Sequence, residues 1–343
     1  MKKNKKILGG VILLFVIIIA ATGGIIYKKY FSPFFDIKQT VYVYVNENRD
    51  YNDLMSQLQS VAHIKDINAF DRAAKTMKYP ENMRTGRYAV TSDMTCRLLL
   101  QSLKNGIQAP CRVTFNNIRL KEDLAKRIGQ QLMFNEGELY QQLNDSLACA
   151  GLGFDSNTVL CMFIPNTYEM YWNISAEKFL TKMKSEYDKF WTPERLEKVH
   201  EIPLTPMQAS ILASIVEEET AASSEYSTVA GLYINRLRHG MLLQADPTVK
   251  YALGDFSIKR ILYAHLENDS PYNTYKYAGL PPGPIRIPSI KGVDAVLNYE
   301  KHNYIYMCAK EDFSGKHNFA TTLTEHNQNA AKYQAALNRN NIK

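Results

Sequence analysis

The sequence predicts an α+β protein: an N-terminal apolar helix, then a small α/β module, then a larger mixed α+β region. Three observations carry that expectation. Residues 7–26 run for twenty positions without a charge, about 30 Å of helix and enough to cross a bilayer. Residues 40–90 read as strand, helix, helix, strand. From Leu204 onward, helical stripes alternate with Gly- and Pro-rich turns that fix the chain path. The 343 residues allow about two domains. Charged residues at 22% and hydrophobic ones at 45% are ordinary for a globular protein. The formal charge of +7 is modest. Without a basic arm or interleaved aromatics, it gives no argument for nucleic acid.

Taken in order, four lysines fill the tail 1–6 and only Lys28 and Lys29 follow the apolar span. The positive-inside rule therefore predicts a cytoplasmic tail at 1–6, a single-pass helix at 7–26, and the remainder outside the cytoplasm. The run is too long for the apolar core of a cleaved signal peptide, roughly 7–15 residues. TVYVYV at 40–45 alternates as a strand, 51–58 and 67–77 read as helices, and 87–90 resumes a strand. This is the layout of small glycan-binding modules of the LysM kind, here over 40–110, with a further helix at 95–103 that stops at Asn105-Gly106. A strand at 112–115 and an amphipathic helix at 120–132 echo the start of that module. Residues 111–200 form a connecting α+β region, broken at 161–172 by the aromatic-rich CMFIPNTYEMYW. The five cysteines (Cys96, Cys111, Cys149, Cys161, Cys308) contain no C-x-x-C. They permit a Cys96–Cys111 or Cys149–Cys161 bridge in an exported domain without selecting one.

The region 201–343 holds the chemistry. Thr205-Pro206 reads as N-cap and first helical residue of a helix over 204–220. At 100° per residue, Gln208, Leu212, Ile215 and Val216 fall within about 60° of the face of Glu219. Glu217 points to the opposite side and Glu218 to the flank. A carboxylate ending a buried stripe at a helix C-terminus is pushed towards its protonated form. That is the state a general acid needs to cleave a sugar linkage. Other templates are missing: there is no G-x-S-x-G, no H-E-x-x-H, and Gly151-Leu-Gly153 lacks the rest of a dinucleotide fingerprint. No cofactor and no metal is expected. Further segments carry polar residues at fixed turns: INRL at 234–237, LQADPT at 243–248, YNTY at 272–275, GLPPG at 279–283 and HNF at 317–319.

In order and spacing, these segments together with SIVEEET at 214–220 resemble the endolytic murein transglycosylases, the YceG-like (MltG) family. The likeness extends upstream to the apolar span, the LysM-like segment and FIPNTY at 163–168. It implies cleavage of the β-1,4 bond between N-acetylmuramic acid and N-acetylglucosamine inside a glycan strand, giving a 1,6-anhydro end. It implies that Glu219, the second Glu of an E-x-E-T pattern, is the acid, returning as the base, with Glu217 the first Glu. Gln244, Asp246, Tyr272, Asn273 and Glu217 are expected to contact substrate, with Asp246 or Glu217 also available as a second carboxylate. The implied partners are peptidoglycan glycan strands and membrane-bound peptidoglycan synthases. A muramidase that uses water, or a wall-binding scaffold without catalysis, are the competing expectations.

Overall fold

A computed structural model describes residues 13–24, 27, 32–258 and 260–340. Residues 13–24 form helix α1, with exposed side chains. Among the described residues no helix is long and apolar enough to cross a membrane. The expected tail 1–6, and positions 7–12 and 25–26 of the expected span, lie outside the described residues. The fold is mixed α+β, mostly helical, with three two-stranded sheets among the described residues. The chain divides into two compact units, Met1–Val113 with Tyr168–Ile174, and Thr114–Thr167 with Ser175–Lys343. The segment 111–200 has residues in both units.

In the first unit, β1 (Val41–Val45) pairs antiparallel with β2 (Gly86–Val90), Val41 opposite Val90. Alternation buries Val43, Val45, Tyr88 and Val90 on one face. Helices α2 (Tyr51–Ser60) and α3 (Ile67–Thr76) begin at the aspartate caps Asp50 and Asp66. They supply Leu54, Leu58 and Phe70 to the same core. Helix α4 (Cys96–Asn105) starts at the Thr95 cap and stops at Gly106, whose φ of 71° suits a residue without Cβ. Strands β3 (Cys111–Phe115) and β4 (Asn166–Met170) form a second sheet, and the division between the units falls within them.

The second unit contains α5 (Lys121–Gly129), α6 (Glu136–Asn144), α7 (Ser146–Gly151), α8 (Ala176–Phe190) and α9 (Pro193–His200). After these come α10 (Pro206–Glu219), α11 (Tyr226–Arg238), α12 (Asp246–Leu253), α13 (Tyr263–Leu266) and α14 (Ile290–Leu297). A hairpin of β5 (Tyr306–Ala309) and β6 (His317–Ala320) precedes the last helix, α15 (Leu323–Arg339). Helix α10 starts as expected: Thr205 Oγ1 accepts from Gln208 N, and Gln208 Oε1 accepts from Thr205 N, a capping box with Pro206 at the first turn.

One expectation about α10 is corrected. A single apolar stripe predicts one buried face, yet every residue from Ala209 to Glu217 is buried. Helices α11, α12 and α14 pack around it, so it is a core helix and hydrophobic nearly all round. Glu217, expected to turn outward, is buried beneath α14. Its burial is compensated: Ser289 N and Oγ donate to its carboxylate, and Arg286 Nε lies 3.8 Å away. A Cβ on Gly292 would come within 2.7 Å of the Glu217 carboxyl carbon, so glycine there makes room for the acid. The cysteines give a second correction. All five are free thiols, so neither possible bridge is formed.

Candidate active site

The C-terminal end of α10 opens into a cavity of about 260 Å³ lined by groups from five segments of the second unit. Helix α10 contributes Glu219, α11 contributes Leu232, Tyr233 and Arg236, and the chain entering α12 contributes Leu243, Gln244 and Asp246. Tyr275 comes from the YNTY loop, and the β5–β6 hairpin adds Met307, Cys308, Ala309 and His317. Leu232, Leu243 and Met307 make part of the wall apolar, which weakens water's competition for the acid.

Glu219 is partly buried, and its carboxyl is raised from the ordinary 4.5 to about 7. Burial is the largest cause, because it penalises the charged form. The Tyr233 hydroxyl donates to Glu219 Oε1 at 2.8 Å and pulls the other way. The nearby Asp246 charge raises it further, while Arg236 and Lys250 oppose that. Glu217 and Glu218, which the triple-glutamate run suggests as like-charge neighbours, are held by cations instead. Glu218 binds Arg119 Nη2 at 2.6 Å and Arg286 Nη1 at 2.6 Å. The three consecutive acids therefore divide their work, two in ion pairs and one facing the cavity.

Around Glu219 the polar walls are held from behind. Arg236 is buried and donates to the carbonyls of Ile305 (2.7 Å) and Leu243 (2.8 Å) and to Gln244 Oε1 (3.3 Å). Gln244 has a φ of 51°, a left-handed backbone that costs a non-glycine residue roughly 1–3 kcal/mol. It is held there by Thr274, whose carbonyl accepts from Gln244 N at 3.1 Å. Thr274 Oγ1 accepts from Ala245 N and shares a hydrogen bond with Thr248 Oγ1, fixing the entry to α12. Asp246 at that entry accepts from Tyr275 OH at 2.6 Å; burial first, and then this hydrogen bond, raise the phenol's pKa.

Of the residues singled out from sequence, Glu219, Gln244 and Asp246 meet in this cavity. Tyr272, Asn273 and Glu217 do not line it. Tyr272 packs on Tyr251 with ring centroids 4.8 Å apart. Asn273 is fully buried, donating to the carbonyls of Leu266 and Asn268 and accepting from Tyr275 N. It braces the loop that presents Tyr275. Tyr233, Arg236 and Tyr275 were not singled out individually, although each sits in or beside a motif that was.

The YceG-like family matches residues 43–332. An endolytic murein transglycosylase of Bacillus subtilis is 28% identical over 88% of this chain and 87% of its own length. One from Streptococcus pneumoniae is 26% identical over 86% of this chain, which spans 59% of that relative. A crystal structure of a YceG-like protein from Listeria monocytogenes, 27% identical, covers 85% of this chain and 99% of its own with a TM-score of 0.56. From residue 43 to residue 332, then, the match spans both compact units and includes every residue of the Glu219 cavity: this chain belongs to the YceG-like family.

Proposed function

We propose that this chain is an endolytic lytic transglycosylase. It cleaves the β-1,4 bond between N-acetylmuramic acid and N-acetylglucosamine within murein strands and leaves a 1,6-anhydro end. The observation that carries this reading is the Glu219 carboxyl, raised to about 7 in a partly apolar cavity and oriented by Tyr233. At pH 7 about half of such a group is protonated, against roughly 0.3% of an ordinary glutamate. The protonated acid gives its proton to the glycosidic oxygen as the bond to the anomeric carbon breaks. Asp246, on the same cavity, faces the positive charge that develops on the sugar. The muramyl 6-hydroxyl then closes on the anomeric carbon, and no water is consumed. The names of the murein-acting relatives support the substrate class.

Residues 40–110 act in this reading as a LysM-like glycan-binding module. The apolar span 7–26 holds the enzyme at the membrane with the cavity outside the cytoplasm, next to membrane-bound synthases. A second reading is favoured by one observation, the presence of two carboxylates, Glu219 and Asp246, in one cavity. A hydrolase could use the second to activate water. Mass spectrometry of products from purified glycan strands separates the two, since a hydrolase leaves reducing ends in place of anhydro ends. Glu219→Gln should lower the anhydro yield by at least roughly 10²–10⁴-fold while circular dichroism stays unchanged. Retained activity would overturn the assignment.

A further inference from the structure

The HNF segment at 317–319 has no role in the reaction as described, yet His317 lines the Glu219 cavity. Its surroundings are specific. Glu225 Oε2 lies 3.0 Å from His317 Nδ1, and Glu225 Oε1 accepts from His317 N at 3.0 Å. Thr220, the residue after Glu219, donates its hydroxyl to the same Glu225 Oε2 at 3.2 Å and accepts from Ala222 N. Glu225 is 8% exposed, so its carboxylate has been taken out of water to hold one imidazole. With Nδ1 engaged, Nε2 is the ring nitrogen left for the cavity, and no other described residue bonds it. A buried carboxylate behind a histidine fixes its tautomer and stabilises the imidazolium that forms when it accepts a proton.

From this geometry we infer that His317 is the base of the second half-reaction, with Glu225 as its positioning residue. The inference rests on the transglycosylase reading above. The anomeric C1–O4 bond breaks and O4 takes the Glu219 proton. The C1–O6 bond forms and the 6-hydroxyl proton passes to His317 Nε2. Solvent then carries that proton from the imidazolium back to the Glu219 carboxylate. Nothing is oxidised and no water is consumed.

The two mechanisms differ in their dependence on pH. Across the range in which a histidine ordinarily titrates, Glu219 as both acid and base gives a rate that falls only on the alkaline side, as Glu219 loses its proton. With His317 as base, the rate falls on the acid side too, and the profile is a bell. The titratable and charged groups sharing the cavity with His317 are Glu219, Tyr233, Arg236, Asp246, Tyr275 and Cys308, with Glu225 behind it. The experiment measures kcat/KM for anhydro-end formation by the full-length chain on purified glycan strands across pH. The wild type is expected to give a bell. His317→Gln is expected to lose about 10²-fold at the optimum and to keep only the alkaline limb. Glu225→Gln should lower kcat and leave KM near the wild-type value, because the imidazole loses the carboxylate that orients it.

A wild-type profile with an alkaline limb alone overturns the proposal without recourse to any variant. So does a His317→Gln protein whose bell is unchanged in shape, because a merely structural role lowers the height and leaves both limbs. If the wild type makes reducing ends, or no product at any pH, the transglycosylase reading fails first and this proposal falls with it.

Discussion

Glu219→Gln should make the second unit more stable at alkaline pH. The sign follows from the direction of the Glu219 shift. Its folded-state pKa, about 7, lies above the 4.5 of an unfolded chain. The folded state therefore binds the proton more tightly, and the stability this supplies is fully present below pH 4.5. It is lost as pH rises through 7, where the folded protein must carry a charge in a desolvated place. The gap between 4.5 and about 7 corresponds to roughly 3 kcal/mol lost by the wild type above about pH 8. Glutamine has the same shape, can still accept from Tyr233 OH, and carries no charge to desolvate. Hydrogen exchange of the α10 amides, corrected for intrinsic rates, reads the difference. The variant should exchange on the order of 10²-fold more slowly than wild type near pH 8.5, with the two nearly equal near pH 4. An equal or faster rate in the variant near pH 8.5, or a difference independent of pH, would refute the reasoning. A positive result would show stability given up for an acid of suitable strength.

Two further outcomes follow from the neighbours of Glu219. Glu217→Ala strips the acceptor from Ser289 N and Oγ and one carboxylate from Arg286, so urea unfolding should show a loss of about 3–5 kcal/mol. Glu217→Gln keeps an acceptor for Ser289 and should cost less, and the fraction that remains folded should keep its activity. Asn273→Ala deletes both donors to the Leu266 and Asn268 carbonyls and the acceptor of Tyr275 N, costing about 1–3 kcal/mol by thermal melting. It should also weaken activity, measured as anhydro yield, because Tyr275 no longer holds Asp246 in place.

Where local chemistry decides structure, the sequence was readable. The Thr205-Pro206 start of α10, the stop of α4 at Gly106 and the alternation of β1 are set by neighbours in the chain, and they appear where expected. The helix expected over 120–132 ends at Gly129, because Gln130 already caps it. Helical phase separated Glu219 from Glu217 and Glu218, but the one buried face it assumed is not observed. Glu217 is buried too, and Glu219 differs from both in lining the cavity. What covers those two was not legible. Arg119 reaches Glu218 from 99 residues away, and Ser289 reaches Glu217 from 72.

The same distinction explains why the motifs were found while some residues within them were not. In YNTY a turn divides the side chains by function: Asn273 folds back onto the loop's own carbonyls, so Tyr275, two residues on, is the one delivered to Asp246. Turn-forming asparagine satisfies the backbone locally, and a polar residue in a tight loop is therefore often spent on the loop itself. His317 and Glu225 stand 92 residues apart, on a hairpin and on the turn that follows α10, and neither segment alone suggests a pair. Their meeting depends on β6 being brought against the end of the acid-bearing helix. Once they meet, Thr220 connects the pair to the residue next to Glu219. A change at Glu225 or His317 thus acts at the end of α10 as well as in the cavity. Glu219 and the inferred base are then joined through Thr220 and Glu225, and variants in either should be read with both limbs of the pH profile in view.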